Sequence, residues 1–239
     1  PQSTIDEVFR EVEAGVADYG VVPIENSTEG GVNQTLECFV TTSLKICGEI
    51  ELPIHHYLLA NSKLANIERI YSHPQSFAQC RSWLNTHMLS VKRIPVNSNA
   101  EAARMVMEDS KAAAIASNTA AKIYQLDIIA SRIEDEVDNT TRFVVLGQQD
   151  VPATGHDKTS LLLSNPNKSG TLYHLLEPFA KNSVNMTRIE SRPSRRGIWE
   201  YVFFVDIEGH FADENVTKSL QILEKNTSLV KLLGSYPRT

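Results

Sequence analysis

Short apolar runs alternate with helix-forming segments over residues 3–147, and this alternation restricts the chain to an α/β fold. Ser3 or Thr4 is the predicted N-cap of the first helix, with Asp6 or Glu7 three positions on. The pattern predicts a mainly parallel sheet that is covered by helices on both faces. The predicted strands are 19–24, two runs within 45–60, 68–72, 90–96, 112–117 and 141–147, and the predicted helices are 3–14, 30–40, 74–87, 99–110 and 117–126.

The composition changes at 151–158, where proline, glycine and charge cluster as they do in linkers. Beyond this point the order strand, helix, strand, strand, helix, strand is typical of a ferredoxin-like domain. The predicted elements are strand 159–165, helix 170–182, strands 184–191 and 199–208, helix 214–226 and strand 228–236. The sequence therefore predicts two domains, residues 1–150 and residues 157–239.

Charge and composition exclude several classes of function. The 239-residue chain carries a net charge of −6, which argues against non-specific binding to nucleic acid or anionic membrane. No apolar run approaches the roughly 20 residues that span a bilayer. Three cysteines without metal spacing indicate reduced thiols and a cytoplasmic protein. The histidines form no metal set and no phosphate-binding glycine loop is present, so we expect neither metal nor nucleotide.

Segment 21–31 brings polar residues to the end of a predicted strand. Glu25, Asn26 and Ser27 lead into a glycine-rich turn and then a helix. Glycines let the backbone approach a ligand, and a helix N-terminus offers free N–H groups to an anion. Residue physics alone favours the simpler interpretation, in which these side chains only cap the helix.

Segment 71–80 forms a second corner between a strand and a helix. Ser72 and His73 end the strand, and Pro74 opens the helix. Ligands of open α/β sheets bind at such corners. Gln75 and Gln79 lie four residues apart and share one helix face. A capped amphipathic helix with two exposed glutamines explains the pattern equally well.

Two further segments are rich in arginine. In 134–147, Arg142 follows Thr140 and Thr141 at the mouth of a strand, where a guanidinium suits a carboxylate and a hydroxyl can donate. Pairing of Arg142 with the acids of 134–138 is the favoured alternative. In 188–199, four arginines accompany one glutamate, which is also typical of a solvated hairpin.

Taken together, the segments resemble prephenate dehydratases in their residues and in the order in which they occur. The motifs that carry the resemblance are DYGVVPIENSTEGGV, SHPQSFAQC, AAAIASNTAAKIYQL and NTTRFVVLG, with SGTLYHLLEPFA and RIESRPSR resembling the family's regulatory ACT domain. The most specific are Pro23 to Ser27 and Thr141 to Phe143. The resemblance implies a two-lobed catalytic domain of periplasmic-binding-protein type, with a cleft between its lobes, followed by the ferredoxin-like ACT domain.

The chain departs from the family pattern in two places. The family has a strand and helix of roughly 30 residues before the helix at 3–14, and we expect that this segment is missing here. The Gly-Ala-Leu motif of the family's effector site stands here as Gly170-Thr171-Leu172. A β-branched hydroxyl residue at this position could alter ligand binding.

The resemblance implies a cofactor-free enzyme that decarboxylates and dehydrates prephenate to phenylpyruvate. It assigns the catalytic hydroxyl to Thr141, and Arg142 is either a carboxylate clamp or a structural anchor. The implied substrate-binding residues are Glu25, Asn26, Ser27, Ser72, Gln79, Thr140, Arg142 and Phe143. Arogenate dehydratase and a non-catalytic amino-acid sensor remain as alternatives, and a chorismate mutase domain could lie upstream.

The resemblance also implies feedback inhibition by phenylalanine, which would bind between paired ACT domains. A ligand shared by two subunits implies a homodimer or a tetramer. Neither nucleic acid nor membrane is an expected partner. The implied effector residues are Gly170, Thr171, Leu172, Glu190, Ser191, Arg192 and Pro193.

Overall fold

The computed structural model describes residue 2, residues 4–194 and residues 201–239. The chain forms two compact units, which are described separately. The first unit joins Pro1–Leu52 to Thr141–Thr239, and the second is Pro53–Thr140. The chain therefore leaves the first unit after its third strand and returns to it near Thr141.

Strands and helices cover most of the described residues. The strands are β1 (Gly20–Asn26), β2 (Gly30–Gly31), β3 (Lys45–Pro53), β4 (Tyr57–Ala60), β5 (Arg69–Ser72), β6 (Lys92–Pro95), β7 (Ala112–Ala116), β8 (Asp127–Ala130), β9 (Thr140–Gly147), β10 (Asp157–Asn165), β11 (Met186–Pro193), β12 (Tyr201–Glu208) and β13 (Leu229–Pro237). The helices are α1 (Ile5–Glu13), α2 (Asn33–Thr41), α3 (Pro74–Gln79), α4 (Arg81–His87), α5 (Asn99–Val106), α6 (Asn118–Tyr124), α7 (Thr171–Lys181) and α8 (Glu214–Asn226), with a 3₁₀ turn at Leu64–Asn66.

The first unit contains two sheets. One has the order β2-β1-β9-β3, in which β1 is antiparallel to both β2 and β9. The other has the order β11-β12-β10-β13, and neighbouring strands are antiparallel. In the chain, α7 follows β10 and α8 follows β12. This second sheet has the predicted βαββαβ order, which is confirmed.

Both faces of the second sheet are buried. Alternate residues such as Leu161 and Val205 pack with α7 and α8, whereas Leu162 and Phe204 share a core with Phe9 of α1 and other residues of the first sheet's layer. At Gly234 a Cβ atom would collide with the Ile46 backbone, so glycine allows β13 to approach β3 closely. The βαββαβ segment and the first sheet therefore fold around one continuous hydrophobic core.

The second unit has one sheet with the order β6-β5-β7-β4-β8. β5 is parallel to β6 and β7, but β4 is antiparallel to β7 and β8. All five residues of β7 are buried, as expected of a central strand covered on both faces. The prediction of a mainly parallel sheet is wrong, because hydrophobic patterning sets which residues are buried but not the direction in which a strand enters a sheet.

Most predicted elements are present with shifted ends. Thr4 caps α1, and its capping box with Glu7 is confirmed, whereas Ser3 lies outside the described residues. The helix predicted from residue 30 begins at Asn33, because Gly30 and Gly31 pair with β1 instead. The helix predicted at 74–87 is two helices that meet at Cys80, where φ is −114°. The turn of the predicted hairpin, residues 193–197, lies mostly outside the described residues.

Candidate active site

The first candidate site lies where β1 and β9 run side by side. Their register places Asn26 opposite Thr141 and Glu25 opposite Arg142. Nδ2 of Asn26 donates a hydrogen bond of 2.9 Å to the hydroxyl oxygen of Thr141. Thr141 is half-buried, so its hydroxyl is sheltered without being sealed in the core. Two segments that are separated by 115 residues thus form one polar site.

The turn after β1 fixes the orientation of the Asn26 carboxamide. Oδ1 accepts hydrogen bonds from the backbone N–H groups of Thr28 (3.0 Å) and Glu29 (3.2 Å), and from Oγ1 of Thr28 (2.6 Å). With Oδ1 engaged by these donors, Nδ2 faces Thr141. The threonine oxygen therefore accepts a hydrogen bond and keeps its own hydrogen for another acceptor. No acceptor for that hydrogen is present among the residues that the structure describes.

Arg142 pairs with acids that are distant in sequence, and the predicted pairing with 134–138 is wrong. Its side chain is only 5% exposed. Nη1 lies 3.0 Å from Oε2 of Glu49, and Nη2 lies 2.5 Å from Oδ2 of Asp206. Nε lies 2.7 Å from Oε1 of Glu25, which is an ion-pair distance without hydrogen-bond geometry. Pairing across strands overrides closeness in the chain.

Three carboxylates and three cations form what we call the charge cluster. It adds Arg188 of β11, whose Nε lies 2.6 Å from Oε2 of Glu25, and Lys158 of β10, whose Nζ lies 2.7 Å from Oε2 of Glu49. Burial opposes the positive charge of Arg142, but attraction by Asp206 and Glu25 outweighs it and raises the pKa of Arg142. The members are Glu25, Glu49, Arg142, Lys158, Arg188 and Asp206.

The second unit contains the other predicted corner. Ser72 is fully buried at the end of β5, and its hydroxyl donates to Oδ1 of Asn99 at 2.9 Å. The same Oδ1 accepts from the His73 backbone N–H at 3.0 Å, and Nδ2 of Asn99 donates to Ser76 at 2.8 Å. His73 caps α3 by accepting from the Gln75 N–H. This placement gives Ser72 the environment of a residue that fixes the corner.

A histidine pair, which the sequence analysis did not single out, holds Gln79. Nε2 of His56 lies 2.7 Å from Oε1 of Gln79, and it carries the proton because a carboxamide oxygen can only accept. His56 is buried, and its backbone N–H donates to Oε2 of Glu134 at 2.9 Å. Nδ1 of His55 lies 2.8 Å from the other oxygen of that carboxylate. Glu134 therefore orders both histidines.

The electrostatics of Glu134 fit this role. Its side chain is only 1% exposed. Burial favours the neutral acid, but the hydrogen bonds from the backbone of His56 and from the side chain of His55 outweigh it and lower the pKa of Glu134. The backbone is tied in the same place, because Asp135 N–H donates to the carbonyl of Gln79 at 2.7 Å. The acidic segment 134–138 thus braces this corner.

The three thiols are poor candidates for nucleophiles. Burial raises the pKa of Cys80 well above its usual value and that of Cys38 to about 12, and it also raises the pKa of Cys47. Thiols of this kind remain protonated at neutral pH. No group of three or more metal-binding side chains occurs in the described residues. Hydroxyl, carboxamide and imidazole groups are therefore the side-chain groups at the two corners that could take part in a reaction.

The remaining predicted substrate residues flank these groups. Ser27 is exposed in the turn after Asn26, whereas Thr140 and Phe143 are half-buried in β9 on either side of Thr141 and Arg142.

No helix among the described residues is long and apolar enough to cross a membrane.

Comparison with protein-family models decides the family. Residues 1–151 match the model described as prephenate dehydratase, and residues 159–225 match the ACT domain. The chain belongs to the prephenate dehydratase family. The α/β fold class with a C-terminal ferredoxin-like ACT domain is confirmed.

Full-length relatives agree with this assignment. The chain is 52% identical to a bifunctional chorismate mutase/prephenate dehydratase of Pseudomonas aeruginosa, covering 100% of this chain and 66% of that protein. It is 39% identical to a prephenate dehydratase of Methanocaldococcus jannaschii, covering 98% and 86%. A crystal structure of a prephenate dehydratase from Arthrobacter aurescens in complex with L-Phe matches with a TM-score of 0.90 and 36% identity, covering 100% and 80%. The chain thus spans just under two thirds of the length of the bifunctional relative.

In the ACT domain, the predicted glycine motif lines a cavity of about 240 Å³. Gly170 is the N-cap of α7 with a left-handed φ of 82°, a conformation that favours glycine. Oγ1 of Thr171 donates to the Pro166 carbonyl at 2.9 Å and accepts from the Lys168 N–H at 3.1 Å. Threonine in place of alanine therefore tightens this turn. Leu172 is exposed at the same cavity.

The second effector motif lies on β11, where side chains alternate between two faces. Ser191 and Pro193 are exposed, whereas Glu190 and Arg192 are half-buried. The Glu190 carboxylate lies against Gly31, and Nη1 of Arg192 donates to the Asn33 carbonyl at 2.9 Å. The four predicted effector residues of β11 are thus divided between the two faces of the strand.

Proposed function

We propose that this chain catalyses the decarboxylating dehydration of prephenate to phenylpyruvate, carbon dioxide and water, as a cytoplasmic lyase of phenylalanine biosynthesis. The observation that carries the proposal is the Asn26–Thr141 pair. Asn26 donates to the Thr141 oxygen, so the hydroxyl hydrogen remains available to an acceptor on the substrate. A hydroxyl held in this way is a preorganised hydrogen-bond donor.

The reaction needs such a donor at one place. The bond between the ring and its carboxylate breaks, and the released electron pair completes the aromatic ring as the ring C–O bond breaks. Prephenate dianion and one proton thereby yield phenylpyruvate, carbon dioxide and water. We assign Thr141 to stabilise the departing hydroxyl as charge develops, since threonine is too weak an acid to transfer its proton early.

Substrate-binding and anchoring roles are proposed for each unit by itself. Gln79 accepts a hydrogen bond from His56 on its oxygen, and we assign its NH₂ group as a donor to a substrate carboxylate. Arg142 is assigned as an anchor, because Glu25, Glu49 and Asp206 already surround its guanidinium. Ser27, Thr140 and Phe143 remain proposed contacts to the substrate.

We propose L-phenylalanine as the effector, bound by the ACT domain in a homodimer or tetramer. The cavity beside Gly170 and the exposed residues Ser191 and Pro193 of β11 support this assignment. The register pairs Ser191 with Phe203, which also lines that cavity. The two effector motifs therefore approach each other within one subunit.

The test is turnover of prephenate by the full-length protein with Thr141→Ala. We expect intact folding, because the residue is half-buried and small, and a loss of about 10²-fold or more in kcat, the scale of a positioned donor. Thr86→Ala is the matched control, since Thr86 is exposed on α4 and donates only to the Ser82 carbonyl. Near-normal kcat in Thr141→Ala removes Thr141 from the mechanism, and turnover of arogenate in place of prephenate by the wild type redefines the substrate.

A further inference from the structure

We infer that Arg188 is a positioning residue through which the ACT domain controls the geometry at Thr141. The inference rests on the proposed function and specifies how the effector site would communicate with the catalytic hydroxyl. Its basis is a continuous set of contacts that begins in β11, beside the effector motif, and ends at the Asn26–Thr141 pair.

The first step is the alternation along β11. Arg188, Glu190 and Arg192 point to the face that carries Val202, Phe204 and Asp206 of β12, because these residues are register partners. That face packs on the core shared with the first sheet. Ile189 and Ser191 point the other way and are exposed. A single strand thus presents Ser191 of the effector motif on one face, and Arg188, with Glu190 and Arg192 of the same motif, on the face that packs toward the first sheet.

The second step is the bridge at Glu25. Oε2 of Glu25 lies 2.6 Å from Nε of Arg188, while Oε1 lies 2.7 Å from Nε of Arg142. Arg188 is 11% exposed and Glu25 is 32% exposed, so the arginine is the more firmly packed partner. Both contacts of Glu25 are ion pairs. Arg188 and the deeply buried Arg142 therefore hold the two oxygens of one carboxylate between them, and loss of Arg188 leaves Glu25 to Arg142 alone.

The third step links Glu25 to the hydroxyl. Glu25 directly precedes Asn26 in β1, and Arg142 directly follows Thr141 in β9. A shift of the Glu25 carboxylate acts on both strands at the residues adjoining the Asn26–Thr141 hydrogen bond. Because a displacement of about 1 Å at such a site costs about 10²-fold in rate, a small movement is sufficient.

The effector motif reaches Arg188 through Glu190. The Glu190 carboxylate pairs with Nη2 of Arg188 and lies against Gly31 of β2. Arg188 is thus shared between Glu190, a predicted effector residue, and Glu25, the neighbour of Asn26. An effector that changes the position of Glu190 redistributes Arg188 between two carboxylates, which provides the two states that allosteric control requires.

The experiment compares Arg188→Gln, Arg188→Lys and Arg238→Gln in the full-length protein. Arg238→Gln is the matched control, because Arg238 is an ACT-domain arginine that pairs with Glu208 outside the charge cluster. Prephenate kinetics are measured with and without phenylalanine, and phenylalanine binding is measured separately by calorimetry. The Glu25→Gln variant and the Glu25→Gln/Arg188→Gln double variant complete a thermodynamic cycle.

For Arg188→Gln we expect kcat to fall about tenfold and the affinity for phenylalanine to stay within about threefold of the wild type. Bound phenylalanine should have almost no effect on turnover by this variant. Both changes in rate lie within the usual range of allosteric coupling. Arg188→Lys should restore part of both. The double variant should be no slower than the slower single variant, because each single change already breaks the Glu25–Arg188 contact.

Inhibition of Arg188→Gln to the same extent as Arg238→Gln, or multiplying effects of Glu25→Gln and Arg188→Gln, overturns the inference while leaving the proposed function intact. A wild type that forms no phenylpyruvate or does not bind phenylalanine overturns the proposed function instead, and the inference with it.

Discussion

The charge cluster and the Gln79 corner hold their functional groups by different means. The cluster fixes Glu25, Glu49 and Arg142 with ion pairs to strands of the ACT domain, namely β11, β10 and β12 in that order. The Gln79 corner uses hydrogen bonds among His56, Glu134 and neighbouring backbone groups of its own unit. The first arrangement makes the geometry beside Thr141 depend on the ACT domain, whereas the second is self-contained.

The difference also has an energetic side. Ion pairs in a buried cluster repay the desolvation of their charges only while each partner is present. Loss of one partner therefore propagates to the others. A hydrogen-bonded carboxamide loses only local order when its partner is removed. We expect substitutions in the cluster to affect the stability of the first unit, and substitutions at the Gln79 corner to affect mainly the catalytic step.

Removal of Arg142 gives the largest expected effect. Arg142→Met leaves the buried Asp206 carboxylate without its ion-pair partner and leaves Glu49 with Lys158 alone. We expect the free energy of unfolding to fall by about 3–5 kcal/mol, the usual cost of breaking a buried ion pair. Urea denaturation followed by circular dichroism measures this change.

The control for this prediction is an exposed ion pair. Lys111→Met removes a surface pair with Glu68, in which both side chains are more than half exposed. Such pairs contribute about 0–1 kcal/mol. Equal losses of stability in Arg142→Met and Lys111→Met contradict the view that the cluster anchors the first unit.

Substitution of His56 tests the self-contained corner. His56→Leu removes the donor to Gln79 but preserves the backbone N–H that binds Glu134. We expect stability to change by about 1–2 kcal/mol and kcat to fall about tenfold, on the scale of one lost hydrogen bond. Steady-state kinetics with prephenate measure the fall, and phenylalanine inhibition should persist.

The matching control is His87→Leu, because His87 is exposed at the end of α4 and contacts only the Trp83 carbonyl and ring. His56→Asn should recover part of the lost activity, since asparagine retains a donor. If His56→Leu instead abolishes phenylalanine inhibition and leaves kcat unchanged, the Gln79 corner does not act on the catalytic step independently of the ACT domain.

Local sequence patterns predicted the elements better than their partners. Apolar periodicity located β7 and β9 because each is buried along its length or on one face. The same patterns carry no information about strand direction, so the antiparallel entry of β4 was missed. Helix caps such as Thr4 were predictable because the interaction spans only three residues.

The same limit applies to the candidate site, where residue types were predictable but their distant partners were not. The motif around Thr141 was apparent, but its neighbour Asn26 is 115 residues away, and only the β1–β9 register brings the two together. Arg142 was matched with acids close in sequence, although its partner Asp206 lies 64 residues further on. His56 was passed over because Glu134, which makes it part of the site, is 78 residues away. A spacing of this kind leaves no local signal.

The pH dependence of stability gives the smallest expected effect. The lowered pKa of Glu134 means that the folded state prefers the carboxylate more strongly than the unfolded state, whose value is near 4.5. The resulting stabilisation is fully present above about pH 4.5 and is lost as the pH falls through the lower folded-state pKa. Glu134→Gln should therefore differ most from the wild type near neutral pH, and the two unfolding free energies should converge in acid. Urea titrations between neutral and acidic pH measure this convergence, with Glu224→Gln on the exposed face of α8 as the control. If the difference in unfolding free energy between the wild type and Glu134→Gln stays constant into acid, the hydrogen bonds at the Gln79 corner do not depend on the charge of Glu134. The contrast between an ionic cluster and a neutral corner then becomes sharper still.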